Sequence, residues 1–395
     1  MNMKREVVVL SGVRTAIGTY GGALKDIPPA ALAARCVREA VRRAGIEPER
    51  IGHAVFGNII HTEARDMYLA RVAAVEGGLP VETPALTLNR LCGSGLQAIV
   101  TASQMILLGD VDAAVAGGAE GMSRGQYWLP AQRWGQRMGN GEVVDVMNAA
   151  LHDPFHDIHM GVTAENIAKK WGITRREQDE FAVESHRRAA AAIVAGRFKD
   201  QILPIEIKTR KGVTIFDTDE HVRADASVDA MAKLKPVFDP AGSVTAGNAS
   251  GLNDAAAAVV LMEGEAARAR GLKPLARLVG YAHAGVEPAY MGIGPVPAVK
   301  KVLERTGLSL GDVDLFELNE AFAAQSIAVV RDLDLPMDKV NPNGSGISLG
   351  HPVGATGAII TIKAIAELHR TGKRYALATL CIGGGQGIAA IFERL

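Results

Sequence analysis

The sequence predicts an α/β protein made of two duplicated halves with a long segment inserted between them. Three observations predict it. Apolar stretches alternate between helical spacing and short buried runs, the pattern of strands joined by packed helices. The two ends of the chain repeat each other at a shift of 262 residues: Gly45 meets Gly307, Gly95 meets Gly357, Ala114 meets Ala376 and Gly121 meets Gly383, without a gap. The region between, about 122–251, has no counterpart and is richer in charged residues, His and Met.

The elements follow in order. Charged residues at the N-terminus lead into "VVVL", read as a first buried strand; the run is too short for a signal-peptide core or a membrane span. Each half then repeats helix, strand, glycine-rich turn, helix, strand. The helices are expected at 30–44 and 296–306, then at 94–108 and 357–370. The strands are expected at 53–57 and 313–317, then at 112–117 and 374–380. In the insertion, residues 163–198 carry two amphipathic helices around Gly172, with Thr174 as an N-cap and Glu177 at the capping-box position.

Composition narrows the function classes. At 395 residues the chain exceeds one compact core, so subdomains are expected. Lys plus Arg equals Asp plus Glu at 43 each, which argues against a nucleic-acid or membrane partner. Three cysteines and no Cys-x-x-Cys argue against a disulfide framework, a zinc ribbon or any other metal site. Reduced thiols, and a C-terminus without the Ser-Lys-Leu address, make the cytoplasm the expected location.

The cysteines fall at informative places. Cys92, in "NRLCGSGLQA", precedes a helix, where unpaired N–H groups and the helix dipole favour an anion. A thiol there is expected to have a lowered pKa. Cys381, in "LCIGGGQG", ends a strand and enters glycines whose N–H groups can line an oxyanion site. At the shift of 262, Cys92 aligns with Gly354 and Cys381 with Ala119, so a pseudo-two-fold arrangement brings these turns together. His351, in "LGHPVGATG", lies on a constrained turn before a helix. Asn319, in "FELNEAFAAQ", can hold a water or polarise a carbonyl. His159 and Met160 carry little signal alone. Cys36, at helical spacing among apolar residues, reads as core. The glycine run lacks the GxGxxG-then-helix arrangement of a dinucleotide site.

"NRLCGSGLQA", "NEAFAAQ", "NPNGSGISLGHPVGATGA" and "CIGGGQGIAAIFE" together resemble the thiolases over essentially the whole chain. The resemblance implies the thiolase fold: two α/β core domains in an α-β-α-β-α layering, at 1–121 with 252–273 and at 274–395, plus a coenzyme A-binding loop domain at 122–251. It implies Cys92 as acyl-accepting nucleophile, His351 as its activator and Cys381 as the acid/base. Asn319 (through a water) and His351 would bind one thioester oxygen, and the N–H groups of Cys92 and Gly383 the other. Ser250, with Ala246 and Phe238, would meet the pantetheine arm; His159 and Met160 would line the throat and Arg223 would face the nucleotide. The implied activity is that of a β-ketothiolase acting on acetyl-CoA, acyl-CoA and 3-ketoacyl-CoA, with C4 and C5 substrates. Coenzyme A thioesters are substrates, and no cofactor is expected. The nearest likeness is to biosynthetic enzymes that feed polyhydroxyalkanoate synthesis, and residues 123–142 resemble a segment that joins dimers into homotetramers. Two positions depart from the pattern: Ala230 stands where some relatives carry Ser, and Leu318 is bulkier than the Ala expected before Asn319. A ketoacyl or hydroxymethylglutaryl-CoA synthase, a thioester hydrolase and a non-catalytic acyl-CoA-binding protein are the competing readings.

Overall fold

The computed structural model describes residues 5–209 and 212–395. The first four residues of the segment leading into the first strand lie outside it. One sheet carries both halves. Among the described residues its main path has nine strands, β1 (Val7–Thr15), β2 (His53–Gly57), β3 (Ala85–Leu88), β4 (Ala113–Gly121), β5 (Asn253–Glu263), β6 (Ala276–Gly285), β7 (Leu315–Leu318), β8 (Tyr375–Ile382) and β9 (Gln386–Arg394), and two two-residue strands, Gly18–Thr19 and Ile202–Leu203, pair with β5 and β1. The nine lie in the order β7-β8-β9-β6-β1-β5-β4-β2-β3. Outward from the β1–β6 seam each half reads the same way, two antiparallel pairings and then a parallel one, and the first half adds β3, parallel to β2, at its edge. The seam is thin. Only Val8 with Arg277 and Val9 with Ala276 pair across it.

The sequence repeat is therefore a structural repeat. The helices are α1 (Pro29–Ala44), α2 (Ser94–Leu108), α3 (Met160–Trp171), α4 (Arg175–Val194), α5 (Pro295–Thr306), α6 (Ala323–Leu333) and α7 (Val353–Thr371). Its counterparts α1 and α5 each begin on a proline, where a missing N–H costs nothing, and end on the matched glycines. Gly45 and Gly307 take left-handed φ of 66° and 71°, which lets the chain turn off the last helical carbonyls. Helices α2 and α7 pack on each other between the two half-sheets, while α1 and α5 cover the outer faces. The result is five layers. Where α2 and α7 meet, the repeat-matched Gly95 and Gly357 face each other's backbone. A β-carbon on Gly357 would lie 2.2 Å from the Leu96 nitrogen, and one on Gly95 2.7 Å from that of Ala358. Residues 91–108 are long and apolar enough to cross a membrane, yet α2 is an inner layer of this packing.

Boundaries differ from the sequence reading in one systematic way. Strands β4 and β8 run on to Gly121 and Ile382, beyond the expected 117 and 380, and α7 starts at Val353, not 357. In β4 and α7 the glycines and alanines of these stretches read as turn, but burial on both faces keeps the ladder and the helix intact, and β8 continues through the buried Cys381 and Ile382. In the insertion, Thr174 and Glu177 form the expected capping box: Glu177 Oε2 accepts from the Thr174 N–H at 2.7 Å, and the Glu177 N–H donates back to Thr174 Oγ1 at 3.3 Å. Helices α3 and α4 pack on α6. Backbone bonds from Ser250 N to Ala321 O and from Ala323 N to Asn248 O, both 2.9 Å, fasten the insertion to the second half.

Candidate active site

The ends of β4 and β8 and the mouths of α2 and α7 open on one cavity of about 540 Å³. Cys92, His351, Gly383, His159, Met160, Phe238, Ala246, Ser250 and Arg223 all line it. Cys381 and Asn319 do not form its wall. Cys381 is fully buried beneath it, packed with Met160, Met291 and Phe322, and its neighbour Cys92 raises its thiol pKa further above the increase that burial causes. Asn319 reaches the site through His351.

Cys92 lies in a short turn, Leu91–Gly93, that hands over to α2 at Ser94. Two side chains lock the turn. Asn89 Oδ1 accepts from the Leu91 N–H at 2.8 Å; Ser94 Oγ accepts from the Arg90 N–H at 2.8 Å and donates to the Leu91 carbonyl at 2.7 Å. Leu91 is held at φ 44°, a strained region for a leucine, so the turn is over-determined where it presents the thiol. The expected lowering of the Cys92 pKa is not what the structure gives. Burial pushes the thiol up to about 11, and the N–H groups of Gly383 and of Cys92 itself only partly offset this. The helix mouth is real, but at this desolvated sulfur burial outweighs it.

His351 is fixed from two sides. Its N–H donates to Asn253 Oδ1 at 2.9 Å, and the Asn253 amide donates to the Gly18 carbonyl at 2.9 Å. Gly350 makes this approach possible, since a β-carbon there would lie 2.5 Å from the Asn253 carboxamide. The imidazole tautomer follows from Thr356. Its hydroxyl donates to the Pro352 carbonyl at 2.9 Å, so at 2.7 Å from His351 Nδ1 it can only accept. Nδ1 therefore carries the proton, and Nε2 presents a lone pair toward the Asn319 amide at 3.3 Å. Burial lowers the His351 pKa to about 4, so the ring is neutral near pH 7.

The apolar wall is equally specific. His159 caps α3, its Nδ1 accepting from the Gly161 N–H at 3.0 Å, and stacks on Phe238 at 4.6 Å between centroids. Phe238 meets Phe322 edge-on at 6.4 Å. Burial lowers His159 to about 4, followed by the effect of His152. Arg223 is exposed at the rim; its backbone N–H donates to His186 Nδ1 at 3.2 Å. Cys36 is core as expected, its thiol donating to the Ala256 carbonyl. Leu318 points into an apolar cluster with Val340 and Leu377, and the Asn319 N–H keeps its strand bond to Thr379 O at 3.0 Å, so the bulk leaves the turn in place. Ala230 is exposed on a short helix, with its N–H donating to Ser227 Oγ.

Sequence reasoning missed Asn253, Thr356 and Glu120. Glu120 is fully buried near the cavity wall, and burial pushes its carboxyl up to about 8 against the pull of neighbouring N–H groups. Among the described residues no cluster of His, Cys, Asp or Glu could hold a metal ion.

Two thiols, an imidazole and backbone N–H donors thus meet on a duplicated fold. Family models described as "Thiolase, N-terminal domain" and "Thiolase, C-terminal domain" match residues 7–265 and 272–394. The chain belongs to the thiolase family. It is 68% identical to "Beta-ketothiolase BktB" of Cupriavidus necator, over the whole of both chains. The crystal structure of the Bacillus anthracis acetyl-CoA acetyltransferase superimposes with a TM-score of 0.98 at 50% identity, covering 100% of both chains. A human mitochondrial 3-ketoacyl-CoA thiolase in complex with CoA gives 0.97 at 43%, covering 100% of this chain and 99% of that one. This thiolase is thus an acyltransferase, and the synthase-like and non-catalytic readings are not favoured.

Proposed function

We propose that this thiolase joins acetyl-CoA to an acyl-CoA, and cleaves the resulting 3-ketoacyl-CoA with CoA, through an acyl group carried on Cys92. The observation that carries the reading is the meeting of Cys92, the lone pair of a neutral His351 and the Gly383 N–H on one cavity, with the Cys381 thiol beneath. His351 Nε2 takes the Cys92 proton. The thiolate attacks the acetyl-CoA carbonyl, its oxygen accepts from the Cys92 and Gly383 N–H groups, and CoA leaves with the proton of Cys381, which becomes a thiolate while His351 keeps the proton on Nε2. Two donors at that oxygen suit a thioester transition state, each worth about 3 kcal/mol in comparable sites. Cys381 as thiolate then removes the α-proton of a second thioester. The Nε2–H that His351 carries at this stage, and Asn319 through a water, donate to the enolate oxygen. The carbanion attacks the acyl-Cys92 carbonyl, the Cys92–acyl bond breaks to release 3-ketoacyl-CoA, and Cys92 regains its proton from His351. Two covalent half-reactions imply ping-pong kinetics.

Ser250, Ala246, Phe238, His159 and Met160 line the way in and suit a pantetheine arm; Arg223 at the rim suits a nucleotide phosphate. The segment 122–251 is accordingly the coenzyme A-binding unit. Substrates of C4 and C5 fit this apolar cavity, since one methylene discriminates by only about 1–3 kcal/mol. A homotetramer in the cytoplasm, supplying 3-ketoacyl-CoA for polyhydroxyalkanoate synthesis, completes the reading. The large exposure of Trp134 (88%) and Met138 (91%) supports the assembly through 123–142. The test is mass spectrometry of enzyme quenched after acetyl-CoA. Cys381→Ser is expected to carry acetyl on Cys92 yet fail at carbon–carbon bond formation, while Cys92→Ala carries none. A folded Cys381→Ser without the Cys92 adduct refutes the division of roles.

A further inference from the structure

The duplicated fold has a second strand-end and helix-mouth pair besides the one that holds the nucleophile. At the end of β8 the Gly383 N–H reaches Cys92 at the mouth of α2. The counterpart is the end of β4 against the mouth of α7, where Gly354 replaces Cys92 and the Gly354 N–H donates to Glu120 Oε2 at 2.9 Å. A β-carbon on Gly354 would lie 2.6 Å from that oxygen. The carboxylate therefore occupies the space that a side chain at the nucleophile's counterpart would need.

We propose that Glu120 is a positioning residue for the thiolase reaction, a four-way tie between the cavity wall at Ile59 and Ile60 and the helix that follows His351. The proposal rests on the function argued above. Each carboxylate oxygen takes two donors. Oε1 accepts from Asn58 Nδ2 and the Ile60 N–H, both at 3.0 Å; Oε2 accepts from the Ile59 N–H at 3.2 Å and from Gly354. No acceptor is among these partners, so the arrangement fits an ionised carboxylate and not a carboxamide, whose NH₂ would face two donors. Ile59 and Ile60 line the cavity that holds Cys92, and Gly354 lies three residues after His351. Glu120 thus joins the wall that meets the acyl group to the turn that aims the imidazole. Above about pH 8, where its carboxyl ionises, its negative charge also disfavours the Cys92 thiolate. The other titratable groups around this pair are Asp66, facing Glu120, Cys381, buried beside Cys92, and His351, facing the cavity.

The experiment uses the full-length enzyme and Glu120→Gln. In thiolysis of acetoacetyl-CoA, kcat is expected to fall on the order of 10- to 100-fold, as for a reacting group moved by a fraction of an ångström, with KM for CoA changed less than about twofold. Alkylation of Cys92 by iodoacetamide, followed between pH 8 and pH 11, is expected to shift to lower pH because the opposing charge is gone. A purely structural role would not produce that shift. Unchanged kcat together with an unmoved alkylation profile overturns the proposal. If Glu120→Gln does not fold, hydrogen exchange in the wild-type protein decides: slow exchange at Ile59, Ile60 and Gly354 supports the tie, and exchange at free-loop rates overturns it. Alkylation and exchange need no turnover, so a wild-type enzyme inactive on acetoacetyl-CoA would count against the proposed function and leave this test standing.

Discussion

Replacing Thr356 by Val tests how the imidazole is held. The change keeps the shape of the side chain and removes one oxygen. In the wild-type protein that oxygen accepts from His351 Nδ1 at 2.7 Å, inside a site where the ring is 5% exposed. Valine leaves the Nδ1 proton buried without an acceptor, a loss of about 1–3 kcal/mol. The ring can escape by moving its proton to Nε2, but there it meets the Asn319 amide donor and Nε2 no longer offers a lone pair. The first route destabilises the imidazolium that forms when Nε2 takes the Cys92 proton, and the second removes the base. At about 1.36 kcal/mol per tenfold, acylation of the enzyme is expected to slow by about 5- to 150-fold. The assay is single-turnover acetylation from acetyl-CoA, read by mass spectrometry, beside steady-state thiolysis. KM for CoA should hold, and Thr356→Ser should recover most of the rate. A Thr356→Val enzyme that acylates at the wild-type rate would show that Nδ1 needs no acceptor and that the tautomer assignment is wrong.

Other outcomes follow from the same geometry. Arg223→Ala is expected to raise KM for CoA about tenfold with little change in kcat, because a rim contact serves substrate and transition state alike; a kcat loss at constant KM would contradict it. Gly357→Ala places a methyl 2.2 Å from the Leu96 nitrogen, and is expected to cost about 3 kcal/mol or to abolish folding, measured by urea titration. Gly172→Ala, at φ 63° with nothing near it, should cost only about 1–2 kcal/mol. The buried neutral His351 also gives stability a pH dependence. Between about pH 6.5 and 4 the unfolded chain binds a proton that the folded ring refuses, so stability is full above that window and falls as pH drops through it, by up to about 3 kcal/mol from this residue. His351→Asn should flatten the slope of urea midpoint against pH; an unchanged slope would remove His351 from the account.

The sequence made local features legible and left long-range ones hidden. Helix α2 was readable to the residue at Ser94–Leu108, and the Thr174–Glu177 cap likewise, because their partners lie within a few positions. The two cysteines and His351 were readable through the duplication. Asn253 was not: it holds His351 from 98 residues away, and nothing in its own neighbourhood distinguishes it. Glu120 left a faint signal, a lone carboxylate in the strand "AAVAGGAEG", where burial on both faces should have demanded several donors. The sign of the Cys92 shift was misread because a dipole can be inferred from a helix start, whereas desolvation depends on walls brought in from Met122, Val146 and Val353.

Strand β5 sits between β1 and β4, pairing with both, yet it is synthesised only after the whole insertion. A nascent chain that has reached Gly121 already holds both flanking strands and has nothing to place between them. At about 5–20 residues per second, roughly 7–26 s pass before residue 253 is made. During that interval two apolar strand edges wait on the ribosome, the situation in which chains pair with the wrong neighbour. The order of synthesis thus makes early growth the hazardous stage for this protein, and the insertion sets its duration. Chains truncated just before Asn253 are expected to aggregate, while chains ending after Glu263 should yield a soluble first half; equal solubility of the two would show that β1 and β4 tolerate the wait.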